Sequence, residues 1–185
     1  MTASPAPADR LLVAAGPDAA VVRVVGRGSF HIGPALKEFA ADAIDRGASE
    51  LAVDTRDCIG MDSTFMGVLA GLSMRLQRER GRRVVLLNVS AKNRGLLSTL
   101  GLDRVVEAHD AGDTPPRLAA LLPADADLGS LPGGTASPTR TAETMLRAHE
   151  DLVAAAPANR PKFKDVIDYL REDVHKHRKE RRDSA

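Results

Sequence analysis

Apolar positions along this chain change period from segment to segment, and the changes outline its elements. Residues 10–15 and 19–25 are two short apolar runs separated by Gly16-Pro17-Asp18, which is turn chemistry. The second run is rich in β-branched residues, so the pair predicts a hairpin. From Pro34 to Arg46 the apolar residues Leu36, Phe39, Ala40, Ala43 and Ile44 recur at helical spacing, with Pro at the start and Gly47 at the end. Residues 51–53 read as a short buried strand, and residues 54–62 as a loop.

A second helix is predicted over 66–80, with Met66, Leu69, Ala70, Leu72, Ser73 and Leu76 as its inward stripe and Gly81 as its stop. The run 83–89 is nearly continuously apolar, which suits a strand covered on both faces. A third helix is expected over 91–100, ended by Gly101, and Val105-Val106 reads as a last edge strand. Strands alternating with helices in the order β-β-α-β-α-β-α-β imply an α/β fold, a mixed central sheet flanked by helices.

Composition shifts after Asp110. Pro115-Pro116, Pro123, Pro132-Gly133-Gly134 and Pro138 interrupt any long element, so 111–140 reads as a linker with a short helix at 117–122. Two further helices are predicted, over 141–155 and from Pro161 onward. In the latter, Phe163, Val166, Ile167, Leu170 and Val174 form one stripe. The organisation expected is a disordered N-terminus at 1–9, a domain at 10–110, the linker, and a helical extension with a basic tail at 141–185.

Charge and composition exclude several classes of function. Lys plus Arg is 26 against 25 for Asp plus Glu, so no overall field favours nucleic acid or membrane. Aromatics are 3%, too few for a base-stacking surface. The first nine residues lack the features of a secretory signal, and no apolar stretch approaches bilayer length. With Cys58 as the sole cysteine, no intramolecular disulfide forms. Together these point to a soluble cytoplasmic protein without membrane insertion.

Candidate chemistry is sparse. Asp54 and Asp57 lack a third metal ligand at a telling spacing. Asp54 is expected to support its loop by hydrogen bonds. Cys58 reads as a passive thiol, and His175 and His177 as members of a solvated tail. Gly26, Gly28 and Gly33 are turn glycines rather than a phosphate-binding loop, so no cofactor is expected. No nucleophile–base set is apparent, and the chain does not read as an enzyme. The apolar stripe of the last helix must bury somewhere, either on the domain or in self-association.

The informative stretch is 51–71, LAVDTRDCIGMDSTFMGVLAG. A buried strand ends at Asp54, and a loop then delivers Asp62-Ser63-Thr64 to the start of an apolar helix. Asp62 suits an N-cap because its oxygens accept orphan backbone N–H groups. Ser63 and Thr64 then fall in the first turn, where hydroxyls can face solvent.

This stretch resembles the signature of STAS domains of the anti-sigma-factor-antagonist kind, in which an aspartate and two hydroxyl residues open a helix. The segment Leu96-Leu97-Ser98-Thr99-Leu100-Gly101-Leu102 resembles the family's other recurrent piece. The resemblance covers roughly residues 10–110 and implies a regulatory protein that switches partners. The hydroxyl phosphorylated by a kinase-type anti-sigma factor would be Thr64, preceded by Ser63. Asp54, Asp62, Phe65, Met66 and Gly67 would support the switch loop and touch the partner. Where the family has glycine after the hydroxyl pair, this chain has Phe65 and Met66. A ring there would obstruct a kinase or offer a different docking contact. STAS domains also resemble cytoplasmic accessory subunits of membrane (lipid) transport systems, the alternative reading.

Overall fold

The computed structural model describes residues 9–183. The expectation for residues 1–8 lies outside them. The predicted hairpin forms as β1 (Arg10–Ala15) and β2 (Ala19–Gly28), paired antiparallel from Arg10↔Val25 to Ala15↔Ala20. Then follow α1 (Gly33–Asp45), β3 (Glu50–Asp54), β4 (Cys58–Met61), α2 (Ser63–Arg80), β5 (Val85–Leu87), α3 (Ala91–Thr99), β6 (Glu107–Ala108), α4 (Pro116–Ala119), β7 (Gly129–Pro132), α5 (Pro138–Ala155) and α6 (Arg160–Asp183).

The sheet runs β6-β5-β3-β2-β1-β7, with β4 pairing the far end of β2. Strands β2, β3, β5 and β6 are parallel, and β1 and β7 antiparallel, so the expected mixed α/β sheet is present. Its two faces follow from the two-residue period of a strand. Val22, Val24, Leu51, Val53 and Leu86 enter the main core beneath α1, α2 and α3, while Val21, Ala52, Val85 and Leu87 meet Leu118 of α4 on the other side. Residues 84–87 are all at most 1% exposed, which accounts for their unbroken apolar run.

Two strands lie where the pattern predicts none. Residues 58–61, read as loop, form β4 by pairing only the last residues of β2 across a bulge. Residues 129–132, read as linker, form the edge strand β7 against β1. Pro132 is tolerated there because an edge strand needs no inward donor at that position. The final pairing falls on 107–108 rather than 105–106.

The C-terminal helices pack on the domain as a third layer. Helix α5 lies along α2 and touches α1, burying Ala142, Thr144, Ala148, His149, Asp151 and Leu152. Helix α6 folds back on α5, and Ile167, Leu170 and Val174 are buried. Of the stripe weighed above, these three positions bury within the chain, while Val166 stays 40% exposed. The segment expected to be a basic tail continues α6 as helix to Asp183.

Candidate functional site

Strand β3 ends at Asp54, and the loops that lead into α2 start beside it. Asp54, at the end of β3, is 4% exposed. Its Oδ2 accepts from Arg23 Nε at 3.2 Å and pairs with Arg56 Nε at 2.6 Å, and its Oδ1 accepts from the Arg56 backbone N–H and from Asn88 Nδ2. Four bonds to one buried carboxylate tie β2, the loop after β3 and the loop after β5 into one rigid platform.

Asp62 caps α2. Its Oδ1 accepts from the Phe65 backbone N–H at 2.8 Å, and its Oδ2 from the Phe30 backbone N–H at 2.8 Å. Its own N–H donates to the Gly28 carbonyl. One residue thus starts the helix and fastens it to the loop after β2.

The first turn of α2 then sorts its side chains by angle, about 100° per residue. Ser63 is half-buried and turns toward α5. Its Oγ lies 3.0 Å from His149 Nε2, across 86 residues of chain. His149 Nδ1 lies 2.7 Å from the Met145 carbonyl, which can only accept, so Nδ1 carries the hydrogen. Neutral His149 therefore accepts from the Ser63 hydroxyl at Nε2. Burial pushes the His149 pKa below the ordinary value, an effect partly offset by the Met145 carbonyl and by Asp62. The imidazole also meets the Phe163 ring of α6, centroids 5.0 Å apart.

Thr64 is 3% exposed, with Gly33 of α1 beside its methyl group, so its hydroxyl does not face solvent. The helix begins at Ser63 and carries position 64 round toward α1. Phe65, weighed above as an obstruction or a docking contact, is fully buried. Its ring lies over Gly28, where a Cβ would sit 2.7 Å from it. Met66 is buried in the core, and Gly67 lies under Ala148 of α5. The residues from 64 to 67 offer an outside partner no surface in this conformation. Phe30, whose backbone N–H bonds Asp62, is 36% exposed, and Ile59 of β4 is 62% exposed.

His149 is the member of this site that sequence reasoning does not find. It sits on the inward stripe of α5, between Met145 and Leu152. A polar residue on an apolar stripe was the available signal, but nothing local names Ser63 as its partner. Cys58 is buried, with its thiol 3.4 Å from the Gly60 carbonyl. Among the described residues no three acidic, His or Cys side chains gather as a metal site, and no helix is long and apolar enough to cross a membrane.

A family model described as "Mlab, STAS domain" matches residues 11–107, more than half of the chain. The chain belongs to the STAS domain family. Among solved structures, it is similar to the anti-sigma factor antagonist SpoIIAA of Bacillus in its unphosphorylated form, with TM-score 0.51 and 20% identity over 62% of this chain and 99% of that one. It is also similar to an anti-sigma factor antagonist from Mycobacterium paratuberculosis, with TM-score 0.51 and 18% identity over 65% of this chain and 97% of the other. At these identities the likeness is one of fold. Comparison with curated proteins gives no match. The family match ends before α5 and α6 begin.

Proposed function

We propose that this chain is a regulatory STAS protein of the anti-sigma-factor-antagonist kind, which binds a kinase-type anti-sigma factor in the cytoplasm through the edge carrying Asp62 and Ser63. The observation that carries the reading is the capped first turn of α2, with a hydroxyl at its mouth. Asp62 fixes that turn through two backbone bonds, and Asp54 fixes the loops beside it. Phe30, whose backbone N–H bonds Asp62, is exposed beside the turn and supplies apolar contact area for a partner.

Of the two hydroxyls, Ser63 is nearer to solvent and Thr64 is buried, so Ser63 is the one a kinase reaches first. In that transfer the serine oxygen bonds the γ-phosphorus of ATP, ADP leaves, and the hydroxyl proton passes to a base. The product adds about −1.5 to −2 charges at neutral pH. Such a charge inside an interface must be desolvated or meets partner carboxylates, and about 1.4 kcal/mol lost already means tenfold weaker binding.

Tagged full-length protein captured in its native cell is expected to recover a kinase-like ATPase. Calorimetry is expected to show Ser63→Asp binding it at least about tenfold more weakly than wild type. Equal affinities would remove the switch. The alternative reading is an accessory subunit of a membrane transport system, in which Thr64 would contact a transport ATPase and need no modification. In that case capture recovers a transport ATPase and permease instead.

A further inference from the structure

We infer that the α5–α6 hairpin is an internal occupant of the α2 face, latched by the Ser63–His149 hydrogen bond, and that it lifts away to give an outside partner access to the switch residues. The inference rests on the reading of the first turn of α2 as the partner's contact.

The fit between α5 and α2 is close. Gly67 and Gly71 lie one turn apart on α2. A Cβ at Gly67 would overlap the Ala148 carbonyl and lie 2.8 Å from the Ala148 Cβ, and a Cβ at Gly71 would overlap the Asp151 carboxylate. Helix α5 therefore rests on the bare backbone of α2. Any other residue at 67 would hold it off, and one at 71 would displace the Asp151 side chain.

Beside the core residues Ala148 and Leu152, the contact also holds polar groups. It confines the Ser63 hydroxyl, the His149 imidazole and the Asp151 carboxyl, which are 9% exposed or less in the last two cases. Asp151 is answered by Arg147 at 3.3 Å, a residue whose side chain is 64% exposed. Desolvation works against the charged form of both buried groups. Such groups are tolerated in a contact that opens, because each regains water on separation.

At its other end the hairpin is held by Asn159, which is 1% exposed. Its Nδ2 donates to the carbonyls of Leu100 and Leu152, at 2.9 Å each. Lys162 Nζ donates to the Thr99 carbonyl at 2.9 Å. Further ties to the domain are the Arg140–Glu38 ion pair at 2.6 Å in the first turn of α5 and the Ser63–His149 bond past its midpoint. The buried α6 residues Ile167, Leu170 and Val174 lie outside the main core cluster, which α5 enters through Ala148 and Leu152 and which the partly buried Phe163 of α6 touches.

The test uses the full chain with substitutions on the hairpin only, so that residues 10–110 stay native. Ala148→Leu wedges α5 from Gly67, and His149→Ala removes the latch. Hydrogen exchange is followed in α5, in the first turn of α2, and in β3 and β5. In at least one variant, exchange in α5 and in the first turn of α2 is expected to rise about tenfold or more while β3 and β5 keep their protection. Exchange rising together in the strands, or unchanged in both variants, overturns the inference. The partner captured as described above is expected to bind the opened variant about tenfold more tightly, as removal of a competing closed state requires. Equal affinity also overturns it. Recovery of no partner at all counts against the proposed function alone, and the exchange result then decides the inference.

Discussion

His149 is held in its neutral form by burial, and that choice ties the hairpin to pH. The folded pKa lies below the ordinary histidine value of about 6.5, so as pH falls the undocked or unfolded chain takes up the proton first. Stability from this group is complete above about pH 6.5 and is lost as pH falls from there through the depressed folded value. Asp62 lies near enough to temper the effect. Asp151 works in the opposite direction, since burial raises its pKa and its contribution is lost as pH rises through that raised value. His149→Gln removes the imidazole titration together with the ring's bonds to Ser63 and Met145, so the pH dependence of the difference, not its size, reports on the proton. The stability difference between wild type and His149→Gln, from thermal unfolding, is expected to be flat above about pH 6.5 and to move against wild type below it. Parallel curves through that range would show that His149 is not charged on release. None of this is legible in sequence. Asp62 as a cap follows from residue type, but the inward turn of Thr64 depends on where α1 lies, and the Ser63–His149 bond spans 86 residues.

At the level of elements, the close approach of β2 and α2 sets a sharp requirement at Gly28. A Cβ there would meet the Phe65 ring at 2.7 and 2.9 Å and the Met61 Cγ at 3.0 Å. The ring is fully buried and has nowhere to retreat. Gly28→Ala is expected to destabilise the domain by about 1–3 kcal/mol, the usual cost of overpacking, measured by urea unfolding. A change under about 0.5 kcal/mol would mean that the ring shifts freely. Replacing the cap by Asp62→Ala is expected to cost about 1 kcal/mol from the helix terminus, with further loss from the freed Phe30 N–H. The long helices and strands β2, β3 and β5 were readable because each carries its own pattern. Strands β4 and β7 were not, since CIGM and GSLP hold no alternation long enough to register and exist only through the neighbours they pair with.

For the whole molecule, the hairpin and the sheet domain are expected to open separately. Asn159→Ala leaves the Leu100 carbonyl without its donor, while Leu152 keeps the Ala156 N–H. An unpaired buried carbonyl costs about 1–3 kcal/mol, borne by the junction between hairpin and domain. Calorimetry of this variant is expected to resolve a low-temperature transition for α5 and α6 ahead of the main one. A single transition shifted as a whole would make the two parts one cooperative unit. Chain order hints at this division, because the proline-rich stretch 111–140 separates the regions. It cannot show that β7 pins the start of the hairpin beside β1.

That pinning has a consequence for dosage. A cover carried on the same polypeptide and anchored at the sheet edge meets its target at a fixed local concentration, of millimolar order for a short tether. Making more of the protein, or less, leaves the fraction covered unchanged. An outside protein must outcompete a rival that cannot be diluted, so its own abundance and its strength of grip set the response.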